Sequence, residues 1–94
     1  MIYYVYIAIE RKEAILDPQG KATGHALSTL GLPEIQDTRI GKLVRLKVEA
    51  ETKHDARRVA HDAADKLLAN PIMETYVVID VTETPALLEA EAMV

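Results

Sequence analysis

The segment Ile2–Glu10 constrains the fold most, because both of its faces are apolar. Its residues are mostly β-branched or aromatic, which is typical of a strand. Alternate residues form two apolar faces, with Tyr3, Val5, Ile7 and Ile9 on one and Ile2, Tyr4, Tyr6 and Ala8 on the other. A strand with one solvated face alternates apolar with polar residues, so the second face must also be covered, by a helix or by another chain. We favour another chain.

The length of 94 residues suffices for one hydrophobic core and not for two. A domain of this size buries about two thirds of its unfolded surface, so self-association would add to its stability. The chain has no Cys, which excludes disulfides, thiol nucleophiles and Cys-based metal sites and fits a cytoplasmic location. Its first ten residues lack the basic flank and cleavage pattern of a targeting signal and are too few to span a membrane.

The charge distribution disfavours nucleic acid as a partner. The formal net charge is −4, from 15 acidic and 11 basic side chains, and no long basic run is present. Phe and Trp are absent, which leaves few aromatic rings for base stacking.

Two helices are predicted from their start and stop signals. The first begins at Asp17-Pro18, runs to about Leu30 and stops at Gly31 and Pro33. The second is capped by Thr52, with Asp55 three residues later, and runs to about Ala69 before Asn70-Pro71. Apolar stripes recur at three- and four-residue steps on both helices, Ala22, Ala26, Leu27 and Leu30 on the first and Ala56, Val59, Ala60, Ala63 and Leu67 on the second.

The remaining apolar segments predict strands. Residues Ile35–Glu49 are strand-like with an interruption at Gly41, where either a two-residue or a three-residue turn would form a hairpin; the three-residue turn separates charge from core better. Thr75–Val81 is the last strand.

The element order β-α-β-β-α-β predicts a single α+β domain with an antiparallel sheet and both helices on one face, as in ferredoxin-like folds. We assign residues 1–83 to this domain and 84–94 to a tail compatible with one short helix. A two-fold partner would cover the other face of the sheet. The predicted residues of that dimer interface are Tyr4, Tyr6, Leu43 and Val78.

No catalytic or metal-binding set emerges from the sequence. His25, His54 and His61 do not stand in metal-ligand spacing, although His54 and His61 share a helix face. Ser28 is the only serine and lacks a nucleophile motif. The four glycines fit neither a phosphate loop nor a dinucleotide fingerprint.

Two segments combine glycine with polar groups, Leu16–Gly20 and Arg39–Lys42. One interpretation is a helix cap and a turn with solvated charges. The other is recognition, because free amides at a helix start and a paired Arg and Lys could hold an acidic group of a partner subunit or ligand.

These segments resemble the PurS family, whose members carry a Leu-Asp-Pro-Gln-Gly stretch after the first strand and an Arg-x-Gly-Lys turn. Residues 35–42 and 66–76 also look like family signatures in the expected order, so the resemblance covers residues 2 to about 82. Two departures are Thr38, where the family more often has an apolar residue, and the tail after Glu83, which outlasts a typical member.

The resemblance implies a subunit of phosphoribosylformylglycinamidine (FGAM) synthase, which adds glutamine-derived ammonia to formylglycinamide ribonucleotide in purine biosynthesis. The subunit has no active site or cofactor of its own, whereas the complex uses ATP and Mg. Its expected partners are a second copy, in a dimer or tetramer, and the PurL synthetase and PurQ glutaminase, with no nucleic acid or membrane. The residues expected to contact these partners are Asp17, Gln19, Gly20, Arg39, Gly41, Lys42, Asn70, Glu74 and Tyr76.

Two other functions are weighed against this one. A regulatory domain that binds a small metabolite is the alternative, on fold analogy alone. A free-standing small enzyme using His25 or His61 has the least support.

Overall fold

The doubly apolar segment forms the central strand of the molecule. A computed structural model describes residues 1–85, and all statements on structure concern these residues. The elements follow the order β1 (Ile2–Arg11), α1 (Pro18–Thr29), β2 (Lys42–Glu49), α2 (Lys53–Ala63), a π-helical turn (Ala64–Leu68) and β3 (Glu74–Thr82). The predicted α+β architecture with an antiparallel sheet is therefore confirmed. The short helix predicted for the tail falls mainly on residues 86–94, which lie outside the described residues.

The sheet has three strands in the order β2-β1-β3, with β1 antiparallel to both neighbours. Against β2 the register is regular and places Ile7 opposite Val44. Against β3 the register shifts between Tyr6 and Ile7, because Tyr6 pairs with Asp80 while Ile7 pairs with Val78. This β-bulge leaves Ile79 as the extra residue in β3.

The bulge corrects one sequence prediction. Without it, Val78 would lie on the same face as Asp80, on the side away from the helices. With it, Val78 and Val81 both lie in the core, where their exposed fractions are 8% and 5%. Placing Val78 on the second face of the sheet was therefore wrong, and the cause is a single inserted residue that periodicity does not reveal.

The core lies between one face of β1 and the second helical segment. Four β1 side chains, Tyr3, Val5, Ile7 and Ile9, are buried there. They pack against Ala56 and Ala60 of α2 and Ala64 of the π-helical turn, each of which is fully buried. The small alanine side chains bring the helix backbone close to the strand, which is how a 94-residue chain attains a dense core.

The first helix lies apart from this core. Gly20 is its only buried residue, and Leu30, part of the predicted apolar stripe, is 77% exposed. The predicted stripe consists mainly of alanines and is interrupted by Gly24, so it offers little area for burial against a sheet. The Cα radius of gyration of 16.0 Å, against about 13 Å for a compact 100-residue domain, agrees with a projecting element.

The predicted hairpin before β2 does not form, because its first strand is absent from residues 35–41. Residues 35–41 form no strand in the described chain, and no turn forms at Gly41. The backbone N–H of Ile40 donates instead to the carboxylate of Asp17, at 2.7 Å, which directs this stretch towards the start of α1.

The second face of the sheet is apolar and partly open. Tyr4, Tyr6 and Leu43 lie on it as predicted, with Tyr6 buried and Tyr4 half-buried. Ala8, Leu43, Val77 and Ile79 line a groove of about 530 Å³. We call this region the sheet surface; Val77 is 60% exposed in it. Within residues 1–85, no helix has the length and apolarity needed to cross a membrane.

We expect Ile7→Ala to lower the free energy of unfolding by about 2–5 kcal/mol, because it empties a fully buried site in the core. The matched change Leu30→Ala on α1 should cost less than about 0.5 kcal/mol. Urea unfolding at one protein concentration measures both. Equal losses would contradict the separation of α1 from the core.

Candidate functional site

The carboxylate of Asp17 joins the two glycine-containing segments. Its Oδ1 accepts hydrogen bonds from the backbone N–H of Gly20 at 2.9 Å and from Arg11 Nη1 at 3.2 Å. Its Oδ2 accepts the N–H of Ile40 at 2.7 Å. Asp17 is only 4% exposed, and it caps α1 as predicted. One side chain therefore connects the end of β1, the start of α1 and the stretch before β2.

Arg39 fixes the loop before α1. Its guanidinium donates to the carbonyl oxygens of Ile15, at 3.2 Å, and Lys12, at 2.9 Å. The Lys12 carbonyl oxygen also accepts the backbone N–H of Ile15, at 2.9 Å, so Arg39 ties together the two ends of a turn in the loop. Arg39 of the segment Arg39–Lys42 thus stabilises the loop before α1 by hydrogen bonds within the chain.

Two glycines permit this close packing. A Cβ at Gly20 would overlap the Asp17 carboxylate and the carbonyl oxygen of Thr38. A Cβ at Gly41 would overlap the carbonyl oxygen of Ile9. Both positions therefore require glycine because the backbones approach each other.

The hydrogen bonds set the charge state of Asp17. The N–H groups of Gly20 and then Ile40 lower the pKa of Asp17 below its ordinary 3.8, burial opposes them, and Arg11 and Arg39 add to the lowering. The carboxylate is consequently ionised at neutral pH.

The predicted contact residues of these two segments divide into two groups. Asp17, Gly20 and Arg39 are engaged inside the chain, whereas Gln19, Gly41 and Lys42 are exposed. The structure brings all six together at one end of β1. Their contact with partners stays a prediction.

A cleft of about 580 Å³ lies beside this cluster, between loop 13–17, the first half of α1 and residues 35–39. The apolar side chains of Leu16 and Ile35 are exposed at its edge. Thr38 is the position that departs from the family pattern. Its hydroxyl is buried and has no hydrogen-bond partner among the described residues.

The signature around Asn70 forms a second rigid segment. The side-chain oxygen of Asn70 accepts from the N–H groups of Ile72, at 2.9 Å, and Met73, at 3.2 Å. Glu74 Oε1 accepts the N–H of Asn70 at 2.8 Å. Asn70 and Glu74 thus hold a turn that presents Ile72, which is 78% exposed.

Tyr76 belongs to a polar cluster on α2 and the π-helical turn. Its hydroxyl donates to Asp65 Oδ1 at 2.8 Å, and this bond is the main cause of the raised pKa of Tyr76. His61 Nδ1 lies 3.1 Å from the same hydroxyl oxygen. Because the hydroxyl proton points to Asp65, the Nδ1–H tautomer of His61 donates to Tyr76. Sequence reasoning missed this cluster, since residues 61 and 76 are brought together only by α2 packing over β3.

Among residues 1–85, no group of three or more His, Cys, Asp or Glu side chains is placed to hold a metal ion. His25 and His54 are exposed and lie outside the Tyr76 cluster. The arrangement suits rigid presentation of surface residues.

Comparison with known proteins identifies the family of the chain. A sequence profile described as PurS, phosphoribosylformylglycinamidine (FGAM) synthase, matches residues 4–83. The PurS subunit of Bacillus subtilis is 40% identical over 75 residues, covering 80% of this chain and 88% of the relative. The chain belongs to the PurS family. The PurS subunit of Archaeoglobus fulgidus is 38% identical over 79 residues, covering 84% of this chain and 96% of the relative.

Solved PurS structures share the fold. Thermus thermophilus PurS superposes with a TM-score of 0.82 at 38% identity, over 90% of this chain and all of that one. A chain of the PurLQS structure from Thermotoga maritima gives a TM-score of 0.75 at 32% identity, over 89% of this chain and 99% of that one. The chain is thus a PurS subunit of FGAM synthase.

The lowered pKa of Asp17 predicts acid sensitivity. A carboxylate whose folded pKa lies below its unfolded value stabilises the fold fully above the unfolded pKa and loses that stabilisation as the pH falls through the folded pKa. The wild-type chain should therefore lose stability as the pH falls below about 4.

Asp17→Asn should be less stable than the wild type at pH 7, and the difference should shrink on acidification. Urea unfolding at pH 7, 5, 4 and 3 measures both effects. Asp62→Asn is the control, because Asp62 forms only an exposed ion pair with Arg58. If Asp17→Asn matched this control at every pH, the internal role of Asp17 would be refuted.

Proposed function

We propose that this chain is a non-catalytic assembly subunit that joins the PurL synthetase and the PurQ glutaminase in one FGAM synthase complex. The observation that carries the proposal is the exposure of large apolar side chains on three separate regions of a small domain. Soluble monomers rarely expose several such regions, and exposed apolar patches mark sites of protein association.

The three regions belong to different elements. The sheet surface is one. The helix surface consists of Leu16, Leu30, Leu32 and Ile35, around α1 and the cleft. The turn surface consists of Leu67, Ile72 and Met73, where Leu67 is 83% exposed. A chain that must contact more than one partner requires several surfaces of this kind, whereas a small enzyme requires one concave site.

The clamps described above support this role. Asp17 and Arg39 fix the loop beside the helix surface, and Asn70 and Glu74 fix the turn that presents Ile72. Surfaces that are rigid before binding lose less conformational entropy in a complex. The signature residues then act by holding the partner-binding surfaces in shape.

The name of the Thermotoga maritima structure supports the identity of the partners. That structure is described as PurLQS, and one of its chains matches this chain over 89% of its length. In our proposal the helix and turn surfaces contact PurL and PurQ, and the sheet surface contacts a second copy of this chain.

The chemistry is assigned to the partners. PurQ releases ammonia from glutamine, and PurL uses ATP and Mg to activate formylglycinamide ribonucleotide, in the cytoplasm. This chain contributes binding and spacing and carries no cofactor of its own. The alternative of a metabolite-binding regulatory domain has no comparable observation in its favour.

Sedimentation of mixed subunits tests the assembly role. The full chain is combined with PurL and PurQ from the same organism, with glutamine and ADP-Mg present. We expect one complex that contains all three proteins and that does not form when this chain is left out. Separate sedimentation of the three proteins under all these conditions would refute the proposal.

Lys42→Ala should raise the dissociation constant of the complex with PurL and PurQ about tenfold, which corresponds to about 1.4 kcal/mol of binding free energy. The same change should alter the free energy of unfolding by less than about 0.5 kcal/mol, because the side chain is exposed. Lys53→Ala at the start of α2 is the matched control and should leave assembly unchanged, because Lys53 is exposed and lies on none of the three surfaces. Arg39→Ala is a poorer test, since it also removes two hydrogen bonds inside the chain. Equal binding by Lys42→Ala and Lys53→Ala would exclude Lys42 from the interface.

A further inference from the structure

We propose that residues 36–39 pair with the same residues of a second copy, as an antiparallel ribbon of two strands with Thr38 on its two-fold axis. The contact uses the backbone edge of this stretch and is separate from the sheet surface. It rests on the self-association included in the proposed function and does not involve PurL or PurQ. Assembly with those two subunits is therefore tested separately from this pairing.

One edge of the stretch faces α1. The backbone N–H of Ile40 donates to Asp17 Oδ2 at 2.7 Å. The carbonyl oxygen of Thr38 points to the same place, since a Cβ on Gly20 would overlap both this oxygen and Asp17 Oδ2. In an extended chain the backbone polar groups of alternate residues point to the same side. Residues 38 and 40 follow this alternation, and their polar groups face the start of α1.

The opposite edge of the stretch is open. By the same alternation, the backbone N–H and C=O groups of Asp37 and Arg39 point away from α1. These groups have no hydrogen-bond partner among residues 1–85. Asp37 is exposed, so a partner can reach this edge. An exposed row of unpaired backbone groups is a template for pairing with a strand of another chain.

Charge and hydrogen bonding select a second copy in one register. An antiparallel copy that places Asp37 opposite Asp37, or Arg39 opposite Arg39, brings like charges together and joins a single pair of residues. The remaining register places each Asp37 opposite the partner's Arg39. It brings unlike charges together at both ends and uses every open backbone donor and acceptor of the edge. The axis of this register passes through Thr38.

The surrounding charges agree with this register. The other titratable side chains that line the cleft beside the edge are Glu13, Asp17, Lys21 and His25. Asp17 is already paired inside the chain, and the remaining acidic and basic side chains of this set balance each other at neutral pH. Arg39 uses two N–H donors inside the chain and keeps others for the partner's Asp37. The next charged residues along the chain, Glu34 and Lys42, also fall opposite each other in this register.

The pairing gives the projecting helix a place in the assembly. Gly20 and Gly24 of α1 lie against Thr38, because a Cβ on Gly20 would meet its carbonyl oxygen and a Cβ on Gly24 its hydroxyl. With Thr38 on the axis, the α1 helices of both copies come next to the ribbon from its two sides. A helix that lies apart from the core of its own chain thereby gains contacts with a second chain.

Single cysteines test the pairing, because the chain has no native Cys. In the proposed register the Thr38 positions of two copies form a non-hydrogen-bonded pair, whose Cα atoms lie about 4.5 Å apart and suit a disulfide. The Gln36 positions lie about 14 Å apart along the ribbon. T38C and Q36C are each oxidised in a glutathione buffer, and non-reducing denaturing gels measure the linked dimer.

We expect about tenfold more linked dimer from T38C than from Q36C. Equal yields would overturn the proposal. A higher yield from D37C than from T38C would overturn the register, because it would place the axis at residue 37. Linking through V77C on the sheet surface without linking through T38C would also overturn the proposal and assign self-association to that surface alone.

A charge change tests the same contact without cysteine. D37R alters an exposed side chain and places like charges opposite each other at both ends of the ribbon. It should raise the dissociation constant of self-association about tenfold in sedimentation equilibrium. E51R, the control, makes the same change of charge at an exposed residue beyond the end of β2 and should leave the constant unchanged. Equal effects of the two variants would overturn the charge pairing, and a wild-type chain that sediments as a monomer at every concentration would overturn the proposal.

Discussion

The structure depends on a central strand that is apolar on both faces. One face of β1 is buried by alanines of α2 and the π-helical turn, and this contact forms the core. The other face receives no helix among the described residues, because α1 projects away from the sheet. The same strand therefore supplies the core of the domain on one side and a second apolar face on the other.

The second constraint is the carboxylate of Asp17. It lies where the end of β1, the start of α1 and the stretch before β2 meet, and it accepts a hydrogen bond from each. This arrangement explains how α1 can project and still keep a defined orientation. Two signature residues, Asp17 and Arg39, are accordingly engaged inside the chain, while the neighbouring apolar side chains of Leu16 and Ile35 are exposed.

Much of this could be predicted from the sequence because the signals were local. The strand Ile2–Glu10 follows from its composition, and the caps at Asp17 and Thr52 follow from the ability of short polar side chains to accept backbone N–H groups. Non-local features could not be predicted. The bulge at Ile79 reverses the face of Val78, and nothing in an alternating apolar run marks an inserted residue.

The candidate site shows the same division. Residue type singled out the segments Leu16–Gly20 and Arg39–Lys42, and the family resemblance named Asp17, Gly20 and Arg39 as contact residues. Their hydrogen bonds inside the chain required knowledge of which backbones come together. The contact between His61 and Tyr76 spans 15 positions and depends on how α2 lies over β3. The open course of residues 35–41 depends on one hydrogen bond from Ile40 to Asp17. Spacing along the chain contains none of this information.

The most direct test of the account is the rate of FGAM formation by PurL and PurQ with and without this chain. With glutamine as the nitrogen source, we expect product only when the chain is present, because the two catalytic subunits must be joined for ammonia to pass between them. With ammonia supplied in solution, PurL should form product whether or not the chain is present. Equal glutamine-dependent rates with and without the chain would contradict its role as an assembly subunit.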